Sequence, residues 1–130
     1  RRHMEFHHAG IATEDAAAAA GLFADLLETE IVHEESLDDL DVVFLDVGDG
    51  LLELLEPTED GTVSRYLERE GPGIHHLAFE TDDVANAIER ALSLGIEPID
   101  ETPRPGAAGH DVAFLHPRDT AGVLVEFVSE

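Results

Sequence analysis

The sequence predicts an α+β fold built from two tandem βαβββ modules, and three observations carry that expectation. The stretches HAGIATED (His8–Asp15) and HLAFETDD (His76–Asp83) repeat one pattern: a histidine preceded by another histidine, an apolar strand, then threonine and two acids. A helix-like segment follows each copy. Three strand-like runs then follow each helix. Self-similarity of this kind marks a duplicated supersecondary unit, and each half is too short to close a core alone, so the two must pack together.

The elements follow in order. In the first strand, alternation places His8, Gly10 and Ala12 on one face and Ala9 and Ile11 on the other. Thr13 falls where an N-cap belongs, with acids next. The first helix is expected from about Asp15 to Leu27, with Leu22, Phe23, Leu26 and Leu27 as its apolar edge. Strands are expected at Ile31–Val32, Val42–Val47 and Leu51–Leu55, with a turn at Gly48–Gly50. A linker with a short helix, Val63 to about Glu70, lies between Gly61 and Gly71. In the second module His76 and Ala78 share a face opposite Leu77 and Phe79, and Thr81 repeats the cap. A helix from about Val84 to Leu94 carries Ile88, Ala91 and Leu92 on one face and stops at Gly95. Strands close the module at Ile96–Ile99, Val112–Leu115 and Val123–Val128, with a glycine-rich turn at Gly106–Gly109. Module one is expected over about 4–57 and module two over about 72–130, within one domain spanning 4–130. Arg1, Arg2 and His3 precede Met4 and read as an appended remnant outside the fold.

Composition excludes several classes. The chain has 130 residues, the size of one ordinary domain, and 43% are apolar, which supports a real core. No apolar run approaches the roughly 18 residues of a membrane span, and no signal peptide is visible, so a cytoplasmic protein with no membrane partner is expected. The absence of cysteine excludes disulfides and thiolate chemistry. Thirty Asp and Glu stand against seven arginines, with no lysine, for a net charge of −23. The acids are dispersed along the chain, which argues for an acidic coat on a folded body and for adaptation to a very salty cytoplasm. Nucleic acid is excluded as a partner, because phosphate binding needs clustered Lys and Arg.

The bulky residues of both His-led strands must cover the helices, which leaves the histidine faces small enough to line a cavity. That parity favours His8 and His76 over His7 and His75, which read as strand-start residues. His33 is expected in an acidic loop, and His110 and His116 flank the last hairpin, within reach of a substrate. Glu53 and Glu126 each stand alone in an apolar closing strand. A buried ionised carboxylate costs several kcal/mol unless it is paired or metal-bound. If the modules pack about a pseudo-twofold axis, His8, Glu53, His76 and Glu126 converge. Two imidazoles and two carboxylates suit a divalent ion such as Co, Ni, Mn, Fe or Zn, and an octahedral ion would keep positions open for water or substrate.

At these residues the chain resembles the vicinal oxygen chelate superfamily, whose βαβββ modules pair so that their curved sheets form a metal-binding cup. Within it the chain is similar to the methylmalonyl-CoA epimerases. The matching stretches are HAGIA (His8–Ala12), LELLEP (Leu52–Pro57), GPGIHHLAFE (Gly71–Glu80) and HPRDTAGVLVE (His116–Glu126), the last with its approach at Gly106–Gly109. The likeness covers nearly the whole chain from Met4. It implies that His8, His76 and Glu126 are metal ligands and that Glu53 stands where relatives carry Gln or Glu. It also implies an acyl-CoA substrate, a homodimer, and interconversion of (2R)- and (2S)-methylmalonyl-CoA by metal-assisted proton transfer at carbon 2, with Glu53 and Glu126 as base and acid. A second glutamate with a catalytic role in some relatives falls near Val43 or Phe44 here, both apolar. Arg65, Arg69, Arg104 and Arg118 are the cations available to the phosphates of coenzyme A. The same ligand types occur in metal-dependent glyoxalase I, so the flanking motifs have to separate the two activities. An Fe(II) dioxygenase, which keeps two histidines and one carboxylate, is disfavoured by Glu53. A metal-free small-molecule-binding protein of the same fold is disfavoured by the complete ligand set.

Overall fold

Each His-led repeat folds as a strand that runs straight into a capped helix. In the computed structural model, which describes residues 3–130, β1 (Glu5–Ala12) leads to α1 (Ala16–Leu27), and β5 (Gly73–Glu80) leads to α3 (Val84–Ser93). The expected remnant at Arg1 and Arg2 lies outside the described residues. The caps sit two residues later than the threonines suggest. Asp15 accepts from the Ala18 amide and Asp83 from the Asn86 amide. The reason is that Thr13 and Thr81 still belong to the sheet: their amides donate to the carbonyls of Leu55 and Val128. Each threonine Oγ1 instead accepts from the amide of the capping aspartate, at 3.3 Å in both cases.

The chain divides into two compact units, one spanning His8–His75 and the other His76–Glu130 together with residues 3–7. In the His8–His75 unit, β2 (Ile31–Ser36), β3 (Leu40–Asp46) and β4 (Leu51–Pro57) form an antiparallel ladder, and β1 pairs parallel with β4, in the order β2-β3-β4-β1. His33 is therefore a strand residue and not part of a loop. Helix α1 packs through Ala16 and Ala20, joined by Phe23 and Ala24, against Val43, Leu45 and Leu54. Of the expected edge only Phe23 faces the sheet: Leu22 and Leu26 are 62% and 67% exposed, and Leu27 is exposed as well. The alanines share the i, i+4 spacing of one helical face, and their small size lets the helix sit close over large sheet residues. After β4, α2 (Thr62–Glu70) starts at Gly61, whose amide donates to the Ser64 Oγ at 2.8 Å. A Cβ at Gly61 would come 2.5 Å from an Asp39 carboxylate oxygen, so that side chain would have to swing aside.

In the other unit the order is β5-β8-β7-β6, with β8 (Val125–Ser129) parallel to β5 and antiparallel to β7 (Asp111–Leu115). Here α3 buries Val84, Ala87, Ile88 and Ala91 against Ala113, Leu115 and Phe127. Leu92, expected on that face, is 52% exposed. The segment Ile96–Ile99 is not a strand; it makes one isolated bridge, Pro98 to Leu115. The reciprocal bonds of a ladder go elsewhere: the Glu97 amide donates to Asp119 and the Phe114 amide to Asp100. The remaining strand of this module is β6, only Arg104–Pro105, at the edge beside β7. No helix among the described residues is long and apolar enough to cross a membrane.

Candidate metal centre

Strand register builds the same side-chain pair twice. In the parallel β1–β4 pairing Gly10 lies opposite Glu53, and in the parallel β5–β8 pairing Ala78 lies opposite Glu126. His8 and His76 stand two residues before Gly10 and Ala78, hence on the same strand face as those positions. Because Gly10 and Ala78 are so small, each glutamate can lean back over them to its histidine. His8 Nε2 is 3.1 Å from Glu53 Oε1, and His76 Nε2 is 3.1 Å from Glu126 Oε1. The antiparallel neighbours repeat too: Phe44 lies opposite Glu53 and Phe114 opposite Glu126. Each phenylalanine meets its histidine edge-on, with ring centroids 5.7 Å apart for His8–Phe44 and 5.5 Å for His76–Phe114. A phenylalanine ring thus stands edge-on beside each imidazole of the pairs.

All four residues are buried, between 4% and 6% exposed. Glutamate is among the residues least often buried, and here it is buried only as the partner of an imidazole. Each buried imidazole–carboxylate pair offers nitrogen and oxygen donors of the type a borderline divalent cation takes. The structure thus brings His8 together with Glu53, and His76 together with Glu126. Val43 and Phe44, where a further glutamate was sought, are both 6% exposed and apolar, and Phe44 is the wall of the His8 pair.

The other candidate residues have separate surroundings. His75 is half-buried against Tyr66, whose hydroxyl donates to the Ile74 carbonyl at 2.7 Å. His33 Nε2 is 2.9 Å from Glu35 on the exposed edge strand β2. His116 Nε2 lies 3.7 Å from Glu97. The four arginines considered for coenzyme A phosphates all carry acidic partners: Arg65 with Asp60, Arg69 with Glu70, Arg104 with Asp100, and Arg118 with Glu97. Arg104 also covers the face of Phe114 at 5.5 Å, one ring away from His76. His7 departs most from expectation. It is no mere strand start but a buried residue, 2.5 Å from Glu130 and edge-on to His110. Its partners lie more than a hundred residues away, so the only local signal was the histidine doublet itself.

The family model described as the glyoxalase/bleomycin resistance protein/dioxygenase superfamily matches residues 7–114. An uncharacterised protein of Bacillus subtilis is 36% identical over 92% of this chain and 87% of its own. The ethylmalonyl-CoA/methylmalonyl-CoA epimerase of Cereibacter sphaeroides is 34% identical over 92% of this chain and 93% of its own. Among solved structures, a variant of the Streptomyces coelicolor methylmalonyl-CoA epimerase in complex with 2-nitronate-propionyl-CoA superposes with a TM-score of 0.93 at 32% identity, over 97% of this chain and 96% of that one.

Proposed function

As the chain belongs to the glyoxalase/bleomycin resistance protein/dioxygenase superfamily, we propose that it interconverts (2R)- and (2S)-methylmalonyl-CoA, using one divalent ion held jointly by His8, Glu53, His76 and Glu126. The duplicated, buried histidine–glutamate pair is the observation that carries this reading. The relatives named as epimerases support the substrate. The glyoxalase alternative has the same ligand types and no specific observation in its favour.

The chemistry asks for two things. Carbon 2 of methylmalonyl-CoA lies between a thioester carbonyl and a carboxylate, so its proton can leave only if the resulting enolate is stabilised. The bound ion supplies Lewis-acid stabilisation of that charge. Inversion then requires a proton delivered to the opposite face. A glutamate has two oxygens, so one can bind while the other carries a proton. We assign Glu126 and Glu53 as the two carriers, one accepting the carbon-2 proton while the other, protonated, donates. After one turnover their protonation states are exchanged, and proton transfer with water resets them. His8 and His76 would hold the ion beside the two carboxylates, and Phe44 and Phe114 flank the imidazoles edge-on.

The test is isotope incorporation. Metal-loaded protein incubated with either stereoisomer in heavy water should place deuterium at carbon 2 and yield both stereoisomers. If isotope content and stereochemistry stay fixed while the hemithioacetal of methylglyoxal and glutathione is turned over, the activity is that of a glyoxalase. Removing metal with a chelator should abolish turnover, and adding back Co, Ni, Mn or Zn should restore it to differing extents.

A further inference from the structure

A second group of ligand-type side chains lies in the His76–Glu130 unit together with the start of β1, and none of it belongs to the centre described above. His7, His110 and Glu130 each offer one ligand atom, and these atoms all lie within 4.8 Å of one another. They come from three distant points of the chain: the third residue of β1, the residue after a single 3-10 turn at Ala107–Gly109, and the residue that follows β8. From this convergence we propose that His7, His110 and Glu130 form a second divalent-metal site, with zinc-like preferences, which clasps the start of β1 to the end of β8.

The backbone holds the site in place. The loop carrying His110 is closed by the Gly106 amide donating to the His110 carbonyl at 2.8 Å. Within it Ala108 and Gly109 both adopt positive φ, 58° and 74°, the tight reversal that turns His110 inward. Gly106 seats the loop on β7, since a Cβ there would stand 2.8 Å from a Val112 methyl. His7 is 7% exposed, so its ring is fixed by packing.

The chemistry of the donors fits a cation. His7 Nε2 is 2.5 Å from Glu130 Oε2, a contact one shared proton can satisfy. His110 stands beside them with its ring perpendicular to that of His7 and centroids 6.0 Å apart. Two imidazoles and one carboxylate whose ligand atoms converge within 4.8 Å of one another are a donor set of the type zinc takes. An ion with metal–ligand bonds of about 2.0–2.2 Å would need the carboxylate to draw back by roughly an ångström. Glu130 has that freedom, because its side chain is 51% exposed while His7 is buried. Three protein ligands leave a fourth position toward solvent. The net charge of −23 raises the local concentration of cations over the whole surface.

The experiment is a zinc titration of metal-free protein followed by calorimetry, with melting temperature read in parallel. Wild type should bind two equivalents. His110→Ala and Glu130→Gln should each weaken one equivalent at least tenfold and leave the other, whereas a His8→Ala/His76→Ala double variant should lose the other and keep this one. The second equivalent should raise the melting temperature of wild type and not of Glu130→Gln, because binding to the folded state alone is stabilising. If His110→Ala does not fold, Glu130→Gln, altered at an exposed position, carries the test. A single equivalent in wild type, removed by the His8/His76 variant, would overturn the proposal. So would a second equivalent indifferent to both His110→Ala and Glu130→Gln. Loss of the first equivalent alone bears on the catalytic reading and leaves this one standing.

Discussion

At Gly10 and Ala78 the smallness of the side chain matters as much as the chemistry of the ligands beside it. Each stands opposite a buried glutamate, and a bulky residue there would occupy the space through which the carboxylate reaches its histidine. The carboxylates themselves are separable by substitution. Glu126→Gln keeps the volume and removes both charge and basicity. It should lower epimerisation by about a hundredfold or more, the range general acid–base groups contribute, and should also reduce bound metal measured by elemental analysis. Full activity with normal metal content would remove Glu126 from both roles. Glu53→Gln is expected to keep an amide oxygen as a ligand and to lose one proton carrier. Deuterium should then still enter carbon 2 from one face while inversion falls steeply. Equal loss of exchange and inversion would mean that Glu53 serves metal binding alone.

Helix α1 and its counterpart α3 set the limits of what local patterns reveal. The His-led strands, the helices that follow and the closing strands with their glutamates were legible, because alternation and helical spacing are short-range properties of the chain. Glu53 and Glu126 were legible as candidates because a charge inside an apolar run is anomalous wherever that strand lies, and His8 and His76 because strand parity puts them on the small-residue face. What escaped depends on partners distant in sequence. The caps moved from Thr13 and Thr81 to Asp15 and Asp83 because each threonine amide is held by a strand carbonyl, Leu55 in one case and Val128 in the other. The buried face of α1 went to alanines because Val43, Leu45 and Leu54 already fill the space beneath. Ile96–Ile99 looks like a strand by composition, yet the Glu97 and Phe114 amides that would complete its ladder donate to Asp119 and Asp100. His7 reads locally as a strand-start residue because its partners stand at positions 110 and 130. Three substitutions check this picture of the helices. Asp83→Ala should cost about 1 kcal/mol in denaturant unfolding, as loss of an N-cap does. Ala20, with no exposed surface, should not accept a larger residue: Ala20→Leu should cost about 1–3 kcal/mol by overpacking. Leu26→Ser, on the exposed side, should change stability by no more than about 0.5 kcal/mol. The opposite ranking would restore the leucine edge.

Across the whole molecule the acids divide into two populations. Of thirty Asp and Glu, only Glu53 and Glu126 are buried; the rest lie at or near the surface, where seven arginines cannot neutralise them. Surface ion pairs such as Arg65–Asp60 and Arg69–Glu70 contribute at most about 0–1 kcal/mol each. They do not offset repulsion among so many like charges. That repulsion acts more strongly on the compact state than on an expanded chain, so it lowers stability when it is unscreened. The range of the interaction shrinks from about 10 Å at 0.1 M salt to about 3 Å at 1 M. We therefore expect the melting temperature, followed by circular dichroism, to rise steeply with potassium chloride through the first molar and then flatten as screening saturates. The shape of the curve distinguishes screening from a general strengthening of apolar burial by salt, which would keep rising with concentration and would be mimicked by an uncharged excluded osmolyte. A melting temperature indifferent to potassium chloride would mean that the acidic coat is spaced widely enough to be harmless, and the reading of the protein as salt-adapted would fail.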